Sequence, residues 1–195
     1  GRIATAHTAS DQVETVLYHL AKGTGHKGMQ GIPPVRGNIV RPLCFLTREE
    51  VEAYCRWYGL DYVQDSTNFC REYTRNRIRL DVLPLLREIN PKVEQAVLRL
   101  TGQLREEEEY LQGQAEKGLR QAATPLGYRV DDLRELPPPL QARALEKMVR
   151  EAGEKQGIHP PRLSEEKIRA MGGILRKGMG KVSLGKGFSF CAEQG

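Results

Sequence analysis

Apolar residues along this chain recur mainly at helical spacing, and only short stretches carry the alternation of a strand. Arg2-Ile3-Ala4-Thr5-Ala6 reads as a short buried strand that delivers His7 to its carboxyl end. A helix follows, with Ser10 as the expected N-cap and Asp11 and Glu14 in the first turn, where the helix dipole favours negative charge. Val13, Val16, Leu17 and Leu20 make its apolar face, Gly23 ends it, and the stretch to Pro34 reads as loop. Ile39 to Leu46 predicts a second strand, interrupted by Pro42 and hence at an edge or kinked. Thr47 with Glu50 is a capping-box signature for a helix whose Val51, Tyr54, Cys55 and Tyr58 fall on one face, with Gly59 as the stop.

Asp65-Ser66-Thr67-Asn68 is turn chemistry, because short polar side chains bond their own backbone and compete with regular structure. From there the chain turns helical. Val93, Val97, Leu100, Leu104, Leu111, Ala115 and Leu119 trace a near-heptad stripe, broken by the acidic run Glu106 to Glu109, which predicts a long helix or helical pair packed on its own domain. Pro137-Pro138-Pro139 is a stiff joint ahead of the amphipathic stretch Leu140 to Val149. Another helix opens at Ser164 and ends near Gly178, and Val182, Leu184, Phe188 and Phe190 flank Gly185-Lys186-Gly187 in the pattern of a small hairpin. The fold class expected is α/β and helix-rich, with an α/β part over residues 1–90, a helical connection over 91–136 and a small helical domain with a β-hairpin over 137–195.

A chain of 195 residues and 22.0 kDa can bury a real core without cross-links. With 39% hydrophobic and 28% charged residues it is polar but foldable. No apolar run approaches the roughly 18 residues a bilayer span needs, and the first residues lack the pattern of a secretory signal, so a cytoplasmic location and no membrane partner are expected. Cys44, Cys55, Cys70 and Cys191 lie far apart, with no C-x-x-C pair and no histidine at zinc-ligand spacing; no metal centre is expected and the thiols read as reduced. The net charge of +5 matters less than its distribution. Residues 71–87 hold Arg71, Arg75, Arg77, Arg79 and Arg87 against Glu72 and Asp81, and six cations between Lys167 and Lys186 face no acid in that run. Such clusters fit either a polyanion partner or solvated helix faces.

Three motifs bear on chemistry. Gly23-Thr24-Gly25-His26-Lys27-Gly28 matches G-x-G-x-x-G, but its glycines follow a helix and run into Ile32-Pro33-Pro34, whereas the dinucleotide fingerprint joins a strand to a helix N-terminus. A flexible loop near a substrate fits that segment better. His7, Asp11 and Glu14 can converge at the carboxyl end of a strand, the usual ligand crevice of an open α/β sheet; alternatively, the two acids serve the helix dipole and His7 is a satisfied, partly buried histidine. Arg75-Asn76-Arg77-Ile78-Arg79 puts Arg75 and Arg79 four apart on one helical face, where guanidinium forks suit nucleotide phosphates or an RNA backbone, or else form a salt-bridged helix end.

Taken in order, His7 to Thr15, Lys22-Gly23-Thr24-Gly25 with Gly31-Ile32-Pro33-Pro34, Arg41-Pro42-Leu43, Asp65-Ser66-Thr67-Asn68 and Tyr73 to Arg79 resemble the tRNA(Ile)-lysidine synthetase family. The resemblance covers most of the first 100 residues and is looser beyond Pro137. It implies a partial Rossmann-like PP-loop ATPase domain, its C-terminal half, followed by a helical substrate-binding domain. The implied activity is ATP-dependent ligation of L-lysine to the wobble cytidine of tRNA(Ile) with a CAU anticodon, through an adenylated cytidine, giving lysidine, AMP and pyrophosphate. It also implies ATP and Mg²⁺ as cofactors. His7, Asp11 and Arg75 would be catalytic, Asp11 orienting or deprotonating the lysine amine or holding Mg²⁺ and the other two meeting phosphate charge; Glu14, Arg77 and Arg79 would bind the nucleotide.

Two departures from that family stand out. Ser10 occupies a position where many members carry a second acid, and the S-G-G-x-D-S loop that cradles ATP phosphates is not in the sequence. That loop belongs before the first strand, and the family's C-terminal tRNA-binding domain is also not seen, so an internal fragment, inactive alone, is expected. An exposed sheet edge would favour self-association, as in a homodimer. Two other functions compete. A non-enzymatic RNA-binding module predicts steep salt dependence without ATP turnover, and another PP-loop tRNA-modifying enzyme predicts C-x-x-C cysteines or a glutaminase segment, neither of which the sequence contains.

Overall fold

The computed structural model describes residues 1–62 and 71–193, so the expected turn at Asp65-Ser66-Thr67-Asn68 lies outside the described residues. The chain divides into two compact units, Gly1–Glu106 and Glu107–Gly195. In the first, β1 (Ile3–Ala4), β2 (Val35–Arg36) and β3 (Ile39–Val40) form a sheet in the order β1-β3-β2. Ile3 stands opposite Ile39 in the parallel pair and Val35 opposite Val40 in the antiparallel one. Both expected strands contract. The first is two residues long and open to solvent, with Ile3 57% exposed, rather than buried. The second stops at Val40: the Arg41 N–H still donates to the Pro34 carbonyl, but Pro42 has no N–H with which to extend the ladder, yet β3 is the central strand and not an edge.

The helix after β1, α1 (Ala9–Lys22), is capped by Thr8 and not by Ser10. The Thr8 hydroxyl accepts from the Asp11 N–H at 3.4 Å, and the Asp11 carboxylate accepts from the Thr8 N–H at 2.7 Å. A cap at Ser10 would place Val13 at the third helical position, where no side chain can return the bond; Asp11 can, and the helix starts two residues earlier. The buried side of α1 is unusually polar: Ser10, Gln12, Glu14 and Thr15 are buried with Ala9, Val13 and Val16, whereas Leu20 of the expected apolar face is exposed. One short helix, α2 (His26–Met29), interrupts the expected loop. The helix α3 (Arg48–Trp57) has the expected Thr47–Glu50 box, but none of its residues is fully buried, and Tyr54 and Tyr58 stack on each other in the open. There follow α4 (Thr74–Arg77), a π-helical turn over Ile78–Val82 and α5 (Leu83–Ile89).

The 30-residue helix α6 (Val93–Ala122) runs unbroken through the acidic stretch Glu106 to Glu109, and the boundary between the units falls within it. In the second unit, β4 (Ala123–Thr124) and β5 (Gly127–Tyr128) make a minimal hairpin before α7 (Val130–Glu135), α8 (Pro138–Gln156) and α9 (Glu165–Lys177). The proline run opens α8: Pro137 is its cap and Pro138 its first residue, where a missing N–H costs nothing. Ser164 caps α9 and Gly178 closes it in the left-handed conformation, as the spacing predicts. The antiparallel hairpin β6 (Gly180–Gly185) and β7 (Phe188–Ala192) sets Val182 opposite Phe190. Its Leu184 and Phe190 join Ala115, Leu119, Leu133, Leu145, Met171 and Leu175 in one apolar core. No helix among the described residues is long and apolar enough to cross a membrane.

Two glycines of the second unit test this packing. A Cβ at Gly153 in α8 would lie 2.7 Å from the Ile158 carbonyl and 2.9 Å from Pro160 Cδ, whereas one at Gly113 in α6 would meet open space. Gly153→Ala is expected to destabilise by about 1–3 kcal/mol through overpacking, and Gly113→Ala to stabilise by about 0.5–1 kcal/mol through helix propensity. Urea unfolding monitored by circular dichroism measures both, and the reverse order would refute the packing around α8.

Candidate active site

The first two turns of α1 gather the charges. Asp11 Oδ2 is committed to the cap, accepting from the Thr8 N–H at 2.7 Å and the Thr8 hydroxyl at 2.8 Å. Its other oxygen accepts from Arg79 Nη2 at 3.3 Å. One turn on, the Glu14 carboxylate is fully buried, and Arg79 clamps it bidentately, Nε to Oε1 at 2.6 Å and Nη2 to Oε2 at 2.9 Å. A carboxylate without water is tolerated only when paired and hydrogen-bonded in this way. The Glu14 hydrogen bond, working against burial and helped by the charges of Glu14 and Asp11, holds the Arg79 guanidinium above its ordinary pKa.

Arg75 reaches the same helix from α4. Its Nη2 donates to the Thr15 hydroxyl at 2.6 Å and its Nε stands 4.0 Å from Glu14 Oε2, while the side chain stays 51% exposed against 18% for Arg79. Thus two arginines four residues apart meet one helix differently: one is enclosed by carboxylates, the other is held by a hydroxyl and offered to solvent.

Two further sets of bonds fix α1 in place. Ser10 Oγ accepts from the Arg48 N–H at 3.4 Å and from Arg87 Nη2 at 3.5 Å. Arg87 also donates through Nε to Glu94 at 2.8 Å and pairs with Glu49 at 2.8 Å. Burial weakens the Arg87 charge, but these acids outweigh it and raise its pKa. On the other side, Gln12 brackets the Ile32 peptide, accepting from its N–H at 2.7 Å and donating to its carbonyl. Arg105 donates to the Gln30 and Ile32 carbonyls at 2.7 and 3.0 Å, and Arg41 to the Pro33 carbonyl at 2.8 Å. The Gln30–Pro34 stretch that follows the glycine-rich segment is therefore held by Gln12 of α1 together with Arg105 of α6 and Arg41. Gly31 makes this approach possible, with φ of 64° and Gln12 Oε1 where a Cβ would sit. Burial pushes the nearby Cys44 thiol up, partly offset by Arg105 and Arg41.

Of the residues singled out from sequence, Asp11, Glu14, Arg75 and Arg79 are brought together. His7 is not bonded to them; its Nδ1 lies 3.0 Å from the Thr5 hydroxyl, one residue ahead of the Thr8 cap. Arg77 is exposed and makes no ion pair with a described residue. Thr8, Gln12, Thr15 and Arg87 were not foreseen. The Thr8-x-x-Asp11 spacing signals the first; Gln12, Thr15 and the Arg87 bond to Ser10 have no local signature, since those partners lie 20 or more residues apart, although Glu94 lies only seven residues beyond Arg87. Cys44, Cys55 and Cys191 are free thiols. Among the described residues no group of three His, Cys, Asp or Glu side chains could hold a metal ion.

Residues 2–86 match the PP-loop domain family. Over 94% of its length the chain is 37% identical to the tRNA(Ile)-lysidine synthase of Bacteroides thetaiotaomicron, of which it covers 41%. It is 34% identical, over its whole length, to the enzyme of the same name from Geobacillus kaustophilus, covering 46% of it, and 50% identical over half its length to that of Thermosipho africanus, covering 23%. The chain belongs to the tRNA(Ile)-lysidine synthase family and spans less than half the length of these relatives.

The Glu14–Arg79 pair is open to direct test. Arg79→Met leaves Glu14 buried without its partner and is expected to cost about 3–5 kcal/mol, whereas Arg79→Met combined with Glu14→Gln is expected to lose less. Urea unfolding of the two variants checks this, and a neutral Arg79→Met would show that the clamp does not form.

Proposed function

We propose that this chain carries part of the machinery that ligates L-lysine to the wobble cytidine of tRNA(Ile) with a CAU anticodon at the expense of ATP. On this reading residues 1–90 supply the C-terminal half of the PP-loop ligase domain and residues 137–195 belong to a substrate-binding domain. The observation that carries it is the junction of Asp11, Glu14, Arg75 and Arg79 around the start of α1, inside the segment that matches the PP-loop domain.

The reaction sets two demands. The cytidine carbonyl oxygen must be adenylated, with pyrophosphate leaving, and this requires fixed positive charge beside the phosphates. Arg75 meets that need: it is half exposed and anchored at one end, with Glu14 4.0 Å from Nε and no carboxylate of a described residue within hydrogen-bond distance of its donors. Arg77, exposed one turn away, adds a second charge. The lysine amine, with an ordinary pKa of about 10.4, must then lose a proton before it attacks the ring carbon and AMP departs. Asp11 supplies the acceptor. Its Oδ2 is held by the cap, while Oδ1 has, among the described residues, the long 3.3 Å bond from Arg79 and can exchange it for an ammonium donor. His7, next to the cap, adds a neutral or cationic donor toward phosphate oxygen. Glu14 and Arg79 act by position, since each is turned toward the other.

Mg²⁺ fits these residues poorly. The carboxylate oxygens of Asp11 and Glu14 already accept hydrogen bonds from Thr8 and Arg79, and Ser10 contributes a hydroxyl bonded to Arg48 and Arg87 rather than a second acid. No step is assigned to a metal held by this chain.

The test is a chimera in which this chain replaces the matching segment of the Geobacillus kaustophilus relative. It is expected to incorporate lysine into the cognate tRNA transcript with ATP. Asp11→Asn is expected to lower that rate about 100-fold, and a rate within about threefold of the parent would remove Asp11 from the chemistry. Salt-sensitive tRNA binding without any lysine incorporation would favour an RNA-binding module instead.

A further inference from the structure

Arg75 serves the proposed chemistry only if its guanidinium is held in one place while its charge stays available. A half-exposed arginine on the four-residue helix α4 has many rotamers open to it. Among the described residues the strong contact that selects among them is the 2.6 Å hydrogen bond to Thr15 Oγ1, since Glu14 at 4.0 Å is beyond hydrogen-bond reach. Thr15 is itself buried on α1, one residue beyond Glu14, and so is rigid. The chemistry of the acceptor matters. A carboxylate there would fix Arg75 but occupy its N–H donors, as Glu14 does those of Arg79; a hydroxyl fixes it while the Glu14 carboxylate stays 4.0 Å from Nε, too far to take a hydrogen bond that an incoming phosphate could accept.

We propose that Thr15 is a positioning residue of this site, acting through Arg75 to aim its guanidinium at the phosphates of the nucleotide. The inference rests on the reading of Arg75 as a phosphate-binding cation, and its test separates the two. In the chimera, Thr15→Val removes the acceptor while keeping the shape, Thr15→Ser keeps the acceptor, and Arg75→Ala removes the cation. Thr15→Val is expected to lower kcat/KM for ATP about tenfold, with the thermal midpoint little changed, and Thr15→Ser is expected to stay within about twofold of the parent. Combining Thr15→Val with Arg75→Ala is expected to cost no more than Arg75→Ala alone, because the hydroxyl has no other route to the reaction. If Thr15→Val lowers the midpoint enough to obscure the kinetics, Thr15→Ala carries the same comparison.

Multiplicative losses in the double variant, or equal losses in Thr15→Val and Thr15→Ser, would overturn the positioning role. An impaired Arg75→Ala beside an unimpaired Thr15→Val would overturn it too while leaving Arg75 in the site. An unimpaired Arg75→Ala would strike the functional reading of Arg75 itself and the role of Thr15 with it.

Discussion

A carboxylate with no access to water, Glu14, lies at the centre of the first unit, and Arg79 is what makes its burial tolerable. Glu14 sits on α1, while Arg79 lies 65 residues along the chain in the π turn after α4. Satisfying that one charge therefore brings two remote segments into register. Asp11 and Thr15 flank Glu14 on the same helix, so the register that pairs Glu14 with Arg79 also sets Asp11 against Arg79 and Thr15 against Arg75. The bonds of Arg75 to Thr15, Arg79 to Asp11 and Arg87 to Ser10 reinforce the register that the buried acid sets.

The same helix is braced by other polar groups whose partners are backbone atoms or opposite charges. Gln12 closes on the Ile32 peptide, and Ser10 sits under Arg87, which Glu49 and Glu94 hold. This explains a face that hydrophobic periodicity would place in solvent. Buried polar side chains give less net stability than leucines would, but each has only one satisfactory geometry, so together they specify position. The second unit, by contrast, is organised by an apolar core of helices α6, α7, α8 and α9 with the β6–β7 hairpin.

Elements set by local chemistry were legible in the sequence, and those set by long-range pairing were not. The Thr47–Glu50 box, the Ser164 cap, the Gly178 stop and the hairpin about Gly185-Lys186-Gly187 depend on neighbours within a few residues, and each forms as read. The same rule, applied at Thr8-x-x-Asp11 instead of at Ser10, would have placed the start of α1. Strand lengths were misread because an apolar run such as Ile39 to Leu46 does not reveal where its partner ends, and β1 has only two paired residues. At the site, Asp11, Glu14, Arg75 and Arg79 were legible as charges of opposite sign in two clusters. Thr15 was not, because a hydroxyl carries no sign by which to recognise its partner.

Arg75 and Arg79 show why residue type alone could not assign their roles. In sequence they are equivalent, four residues apart in one basic run. In the fold Arg79 meets two carboxylates and is largely enclosed, so its charge is spent within the protein, whereas Arg75 meets a neutral hydroxyl and keeps its charge toward solvent. Neutralising the inner arginine also lowers the repulsion that a second guanidinium nearby would otherwise face. The buried pair thus lets the outer cation sit close to the helix with Glu14 4.0 Å away and no carboxylate of a described residue hydrogen-bonded to it, which on the proposed function suits a site that must be preorganised before its anionic substrate arrives.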